Sequence, residues 1–344
     1  MESLVRAALH GGLFYGAEVL VARGADVQLH KAYGTFEGTR PLMKNAVFDL
    51  ASLSKPVATA SLLLALDLAL ESRVSAYIPA FSGGGKDAVT LGQLAAHTAG
   101  FAPTTRFIET CETPEEVFDA LLKQPLHNRP GRRVVYSCLG YMLLGKVLET
   151  ATGKDLNRLF RDVIAAPLGM HDSVFLPLSH GIAPARLVPT GKRPHNRGKA
   201  GIVHDSNAFV SGGISGNAGL FSSARDLHLF ALMLLEENPL FLPHPMFESY
   251  APAGQTPRTI GWELKLPGVL PSCGPDFPDG AIGHTGFTGT SIWIERKSGL
   301  IAILLSNRSA VSHDGTLEAM GEFRHQFHRL AAGDLLGGQA TEQA

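Results

Sequence analysis

The chain has 344 residues, of which 45% are hydrophobic and 18% charged, and its formal net charge is -1 at pH 7. This length allows two domains, or one domain with a large insertion, around a sizeable core. The composition fits membrane and disordered classes poorly, and the near-zero charge provides no field that attracts nucleic acid or anionic lipid.

Hydrophobic periodicity and turn residues predict strands at both ends of the chain and helices between them. The predicted elements are, in order, a helix over 1–12, strands over 17–21 and 27–33, a strand before 49, helices over 52–70, 91–96, 114–123, 139–150, 156–163 and 224–236, strands over 282–286, 290–295 and 300–306, and a helix over 317–330. We therefore expect an α/β (α+β) fold whose antiparallel sheet, flanked by helices, is built from both chain ends. Residues 1–75 and 206–344 would form this sheet domain, and 76–205 a mostly α-helical inserted domain.

The sequence favours a cytoplasmic protein without a membrane span. The longest apolar run, 57–70, is interrupted by Asp67 and is short for a bilayer. The first residues show no secretory signal, so a periplasmic or secreted location would require a leader that has been trimmed. Cys111, Cys138 and Cys273 cannot all pair and have no metal-ligand spacing, which favours a reducing compartment.

The segment Ser52-Leu53-Ser54-Lys55 opens the most apolar helical stretch of the chain. Residues three apart on a helix share a face, so the Ser52 hydroxyl and the Lys55 amine come within hydrogen-bond distance. A lysine desolvated there loses its preference for the charged form and accepts the serine proton. The alternative is a helix N-cap serine with a solvated lysine, and the pair alone does not decide between them.

Four segments agree with the catalytic interpretation. They cover residues 48–55, 136–145, 218–227 and 283–289. Together they resemble the serine β-lactamase and penicillin-binding protein family, in particular the group of class C β-lactamases, D-alanyl-D-alanine carboxypeptidases and β-lactamase-like carboxylesterases. The resemblance extends over about residues 13 to 330 and implies a β-lactamase/transpeptidase-like fold.

The resemblance also implies a role for each matching residue. Ser52 would be the nucleophile, and Lys55 and Tyr136 would share the role of base and relay the serine proton to the leaving group. His284 stands where many relatives carry lysine. Tyr136 as a core tyrosine and His284 as a strand histidine are the structural alternatives.

The resemblance also implies that the next three residues, Thr285, Gly286 and Phe287, take part in substrate binding. The backbone N–H of Phe287 would form an oxyanion hole with the N–H of Ser52. A side chain at position 286 would block the substrate's approach to the strand.

Two departures from the family pattern favour ester substrates. Cys138, a candidate substrate-binding position, stands where the family's short motif that begins at Tyr136 usually ends in asparagine, and a thiol lacks the amide's donors and carbonyl acceptor. This puts β-lactam and peptide turnover in doubt. His284 weakens fixed recognition of a carboxylate, because histidine is mostly uncharged near neutral pH.

Other histidines are interpreted structurally. Residues 97–100 resemble a second copy of the segment at 283–289 but are assigned to a structural turn without a catalytic role. Residues 204–207 are either a base with its orienting acid or part of the cleft rim. His325 and His328 are interpreted as a surface pair rather than a metal site, and no metal or cofactor is implied.

The leading hypothesis is a serine hydrolase that forms an acyl-enzyme on Ser52, as a β-lactamase-like carboxylesterase. One alternative is a D-alanyl-D-alanine carboxypeptidase or weak class C-type β-lactamase, and another is a non-catalytic binding protein that retains the fold. The expected partner is a small-molecule ester or amide, not nucleic acid. The sequence does not indicate the oligomeric state.

Overall fold

The computed structural model describes residues 1–235, 244–312 and 315–336. The strands are β1 Gly16–Arg23, β2 Asp26–Gly34, β3 Phe48–Asp49, β4 Val174–Phe175, β5 Leu220–Ser222, β6 Glu263–Leu264, β7 Ile282–Thr285, β8 Ser291–Glu295 and β9 Leu300–Ser306. The α-helices are α1 Glu2–His10, α2 Ser61–Ala65, α3 Leu91–Ala95, α4 Pro114–Lys123, α5 Cys138–Thr152, α6 Leu156–Phe160, α7 Ala166–Leu168, α8 Ser206–Val210, α9 Ala224–Leu235, α10 Arg308–Val311 and α11 Leu317–Leu336. Shorter 3-10 turns cover Ala51–Leu53, Val74–Ala76, Lys86–Ala88, Phe107–Glu109, Pro177–Ser179, Pro184–Arg186 and His244–Met246, and π-helices cover Lys55–Ala60 and Arg161–Ala165.

The two ends of the chain meet in one antiparallel sheet, which confirms the predicted fold class. Its six strands lie in the order β2-β1-β9-β8-β7-β6. β1 pairs with β9 in a register that places Ala17 opposite Ser306. A second, three-stranded sheet has the order β3-β5-β4, and β3 is the strand predicted before residue 49.

Alternation along the central strands explains why helices cover both faces of the large sheet. Val19 and Val21 point to the side on which α1 and α11 pack, together with Leu304. Leu20 and Ile303 point the other way, into the main core that also contains residues of α5 and α9. Because side chains alternate with a period of two, these apolar runs bury both faces of the sheet.

The predicted helix over 52–70 is wrong only in its last five residues, because the helical segment ends at Ala65. The chain forms the 3-10 turn Ala51–Leu53, the π-helix Lys55–Ala60 and then α2, which ends at Ala65. Asp67 has a φ of 51°, a left-handed conformation that a right-handed helix cannot continue through. Hydropathy alone does not reveal this, because the leucines after Asp67 keep the segment apolar.

The division into 1–75 plus 206–344 and 76–205 stays a prediction. One apolar core takes residues from both segments, among them Leu20, Leu143 and Ile303. Position 236, the last residue of the predicted helix over 224–236, lies outside the described residues. In the described part of the chain, every helix is too short or too polar to cross a lipid bilayer.

Candidate functional site

The turn that carries Ser52 is held in a strained conformation. Ala51, the residue before it, has a φ of 48°, which costs free energy for a residue with a Cβ. The buried Asp49 compensates, because its Oδ1 accepts a hydrogen bond of 2.8 Å from the N–H of Ala51 and its Oδ2 one of 2.7 Å from the N–H of His204. Burial raises the pKa of Asp49 to about 6, although these two N–H donors oppose the shift.

Lys55 lies one helical turn from Ser52 and is fully buried. Its Nζ donates to Ser52 Oγ at 3.0 Å and to the backbone carbonyl of Asn217 at 2.9 Å. The same Nζ is 5.0 Å from the ring centroid of Tyr136, and hydrogen bonding of the phenol to Lys55 and Ser52 affects its pKa. The structure therefore brings Ser52, Lys55 and Tyr136 together.

The protonation of this trio differs from the expectation that desolvation strips Lys55 of its charge. Burial does lower the pKa of Lys55, but the anionic forms of Cys138 and Tyr136 outweigh it, and the net direction is upward. Burial raises the pKa of Tyr136, with Lys55 opposing it. Both pKa values are raised, so deprotonation of the Lys55 and Tyr136 pair, which yields the base, becomes more favourable as the pH increases.

We therefore expect turnover to increase with pH. A raised pKa means that the proton-accepting form of the Lys55 and Tyr136 pair is scarce at neutrality and becomes more abundant as the pH rises. The value of kcat/KM for an aryl ester, corrected for spontaneous hydrolysis, should rise from about pH 6 to about pH 9. A rate that falls over this interval would contradict the assignment of the pair as the base.

β7 and the turn after it form the opposite wall of a cleft of about 310 Å³. His284, Thr285, Gly286 and Phe287 line it, as do Ser52 and Tyr136. The protein leaves no room for a side chain at Gly286, because a Cβ there would overlap the carbonyl oxygen of Leu50 and the hydroxyl of Thr290. The glycine allows the turn to pack directly against the segment that precedes the nucleophile.

His284 is neutral in this cleft, in agreement with the prediction from its residue type. Burial lowers its pKa well below the ordinary value, and the cations Arg258 and Lys55 lower it further. Its Nδ1 lies 2.8 Å from the carbonyl of Thr285, which assigns the proton to that nitrogen. Its Nε2 is buried and finds no hydrogen-bond partner among the described residues.

Cys138 stands beside the trio rather than in the wall of the cleft. It begins α5, its backbone N–H donates to Pro103 at 2.8 Å, and it is not among the residues that line the cleft. Its charge state affects the pKa of both Lys55 and Tyr136. Substrate binding by Cys138 stays a prediction.

Sequence reasoning missed two kinds of contact. Asn217 holds Lys55 through a backbone carbonyl, a group that every residue possesses and that leaves no signal in the sequence. Arg258, Arg308 and Arg324 line the cleft, and Glu263 is the one carboxylate among the described residues that line it. These arginines are far apart in sequence, and only folding brings their positive charges together in the cleft.

The three guanidinium groups are engaged to different extents. Arg308 donates to the carbonyl of Phe287, and Arg324 to those of Gly286 and Thr290. Among the described residues, the carboxylate that Arg258 approaches is Glu263, at 3.9 Å, which is longer than a hydrogen bond. Its side chain is 14% exposed, and within the described part of the chain Nε and Nη1 have no acceptor.

The remaining histidines have different outcomes. His204 stacks on Phe287 with 5.5 Å between ring centroids, but residues 204–207 are not among the residues that line the cleft, so their part in its rim stays a prediction. His328 is not part of a surface pair, because it is fully buried and its Nε2 lies 3.1 Å from the hydroxyl of Ser291. Across the described ranges, no group of three or more His, Cys, Asp or Glu side chains could hold a metal ion.

Comparison with known proteins places this arrangement in a family. The family model described as Beta-lactamase matches residues 1–325. The chain is 30% identical to the N-acetylmuramyl-L-alanine amidase of Bacillus subtilis (strain 168), over 86% of this chain and 77% of that protein.

Two solved structures share the fold. EstCE1, a hydrolase with promiscuous acyltransferase activity, superposes with a TM-score of 0.73 at 20% identity, covering 94% of this chain and 97% of that one. The octameric penicillin-binding protein homologue from Pyrococcus abyssi gives a TM-score of 0.76 at 21% identity, covering 98% of this chain and 76% of that one. With the family model matching nearly the whole chain, this protein belongs to the β-lactamase family of serine hydrolases.

Proposed function

We propose that the protein hydrolyses small carboxylic esters through an acyl-enzyme on Ser52. The observation that supports this most directly is the 3.0 Å hydrogen bond between Lys55 Nζ and Ser52 Oγ at the base of an open cleft. Ser52 Oγ bonds to the ester carbonyl carbon, the bond to the leaving alkoxide breaks, and the serine proton passes to that alkoxide. Water then releases the acid by the reverse proton route.

Each neighbour of Ser52 has a proposed part in this reaction. The Lys55 and Tyr136 pair takes the proton from Ser52 and returns it to the leaving group. The backbone N–H groups of Ser52 and Phe287 stabilise the oxyanion. Cys138 supplies no amide to hold a peptide side chain, which favours a simple ester over a peptide.

Covalent labelling tests the proposal. The purified protein is treated with a fluorophosphonate probe and digested, and the modified peptide is identified by mass spectrometry. We expect one modification, on Ser52, together with turnover of short-chain aryl esters. A protein that stays unlabelled and turns over no ester would instead support the alternative of a non-catalytic binding protein.

One observation favours a second candidate, hydrolysis of a substrate that carries a carboxylate, as a carboxypeptidase or weak β-lactamase does. Arg258 lines the cleft with two donors for which the described residues offer no acceptor, and its guanidinium carbon is 5.7 Å from the Tyr136 ring centroid. A guanidinium with open donors forms strong hydrogen bonds to a carboxylate. This feature opposes the preference for neutral esters suggested by His284.

A matched pair of substrates separates the two candidates. Acetyl esters of 4-hydroxybenzoate and of its methyl ester differ by one negative charge, and the ratio of their kcat/KM values, divided by the ratio of their rates of hydroxide hydrolysis, reports recognition of the carboxylate. If Arg258 binds it, Arg258→Gln should lower this ratio by about tenfold or more. Arg158→Gln, which removes a charge that is 59% exposed on α6, serves as control. A wild-type ratio near one would favour the neutral esterase.

A further inference from the structure

The turn at His97, interpreted from sequence as purely structural, holds the backbone on both sides of Tyr136. The carbonyl of His97 accepts a 2.9 Å hydrogen bond from the N–H of Val135. Its ring Nδ1 accepts a 3.1 Å hydrogen bond from the N–H of Ser137. One residue thus binds the backbone N–H groups of both neighbours of Tyr136, Val135 and Ser137.

The ring of His97 also packs against the phenol itself. Its centroid lies 4.5 Å from that of Tyr136 and 5.0 Å from that of Tyr141, whose hydroxyl is tied to the carbonyl of Ala95 at 2.7 Å. His97 is 3% exposed, so its side of this ring contact is closed to solvent. Tyr136 is therefore held by its backbone and along one face of its ring.

The protonation state of His97 is compatible with these contacts. Burial lowers its pKa well below the ordinary value, and the cations Arg258 and Lys55 lower it further. A neutral ring whose Nδ1 accepts from Ser137 carries its proton on Nε2. That Nε2 is buried and finds no hydrogen-bond acceptor within the described residues.

The conformation of His97 shows that the position is specialised. Its φ is 60°, a left-handed value that costs free energy for a residue other than glycine or asparagine. The left-handed turn directs the carbonyl and the ring of the same residue toward one segment of chain. Such strain persists only where the surrounding contacts compensate for it.

We propose that His97 is a positioning residue that fixes the Tyr136 hydroxyl against Ser52 and Lys55 for proton transfer. This inference rests on the proposed function, since it assigns His97 a part in the same reaction. His97 touches neither the serine nor a substrate, and it acts through the orientation of Tyr136. Because proton transfer depends steeply on geometry, a small rotation of the phenol slows it.

Two substitutions separate the hydrogen bond from the ring contact. His97→Asn keeps an acceptor near the place of Nδ1 and tolerates the left-handed φ, whereas His97→Phe keeps an aromatic ring and removes the acceptor. We expect the Phe variant to lose about ten- to a hundredfold in kcat with little change in KM. The Asn variant should retain kcat within about threefold of the wild type.

Rates are expressed per active site titrated with the fluorophosphonate probe, so misfolded protein does not contribute. The increase of kcat with pH should shift to a different pH in the Phe variant and stay in place in the Asn variant. A role limited to stability would lower the titrated fraction and leave both kcat per site and the pH profile unchanged. His171→Phe and His171→Asn, at an exposed position, are the matched controls.

The inference is overturned if the Phe variant keeps the wild-type kcat per titrated site. It is also overturned if the folded Asn variant loses as much kcat per titrated site as the Phe variant does. If the Phe variant yields no folded protein, His97→Ala replaces it with the same expected loss. A wild-type protein that the probe does not label at Ser52 would instead remove the proposed function. The two failures are thus distinguishable.

Discussion

Replacing Ser52 with alanine is expected to lower kcat/KM for aryl esters by about four orders of magnitude or more. Without Oγ no acyl-enzyme can form, and the Lys55 and Tyr136 pair has no proton to transfer. Residual turnover would come only from water attacking a substrate bound in the cleft. The measurement is steady-state hydrolysis with the spontaneous rate subtracted, combined with loss of the fluorophosphonate label.

Ser54 provides a matched control in the same turn. Its hydroxyl donates to the carbonyl of Ala51 at 2.7 Å and accepts from the N–H of Leu220 at 3.1 Å, both in a buried setting. Ser54→Ala should cost stability, about 1–3 kcal/mol, through these lost hydrogen bonds, and should still be labelled at Ser52. Undiminished ester turnover by Ser52→Ala would refute the proposed mechanism.

Lys55→Met is expected to lower kcat by about a thousandfold or more while the chain still folds. Methionine preserves most of the buried stem, so packing changes little, but the amine that contacts Ser52 Oγ is lost. The substitution removes a buried charge together with its desolvation penalty. Thermal unfolding and ester hydrolysis, measured on the same preparation, report the two effects separately.

Lys265 supplies the comparison, because it is also a buried lysine. Its Nζ is bound to Asp279 at 2.9 Å, and it does not line the cleft. Lys265→Met should keep turnover per titrated site, which would show that removing a buried lysine is not by itself inactivating. Equal losses of turnover in both variants would argue that Lys55 contributes to the fold rather than to the reaction.

Local patterns in the sequence were enough to predict the antiparallel sheet built from both chain ends and the contact between Ser52 and Lys55. The alternation of Val19, Leu20 and Val21 indicates a strand buried on both faces, and the same holds for β9. The spacing of Ser52 and Lys55 predicts a contact within one helical turn, and the hydrogen bond between them is present. Tyr136 joined them only through the family resemblance, since nothing in its neighbourhood fixes a contact so distant along the chain.

Features that depend on burial or backbone conformation could not be predicted. The end of α2 follows from the left-handed φ of Asp67, which hydropathy does not encode. The pKa of Lys55 depends on Cys138 and Tyr136, which come close to the lysine only after folding. Arg258 reaches the cleft from a segment without a recognisable motif, and the burial of His328 is set by the helix face that meets β8.

The pairing of β1 with β9 ties assembly of the sheet to the synthesis of a strand far along the chain. The hairpin of β1 and β2 leaves the ribosome well before β9, yet β1 becomes an interior strand only when β9 has been translated. Until then one side of β1 presents unpaired backbone groups, a template for association between nascent chains. Such distant pairing also slows folding, so this protein is expected to depend on protection of its N-terminal hairpin during translation.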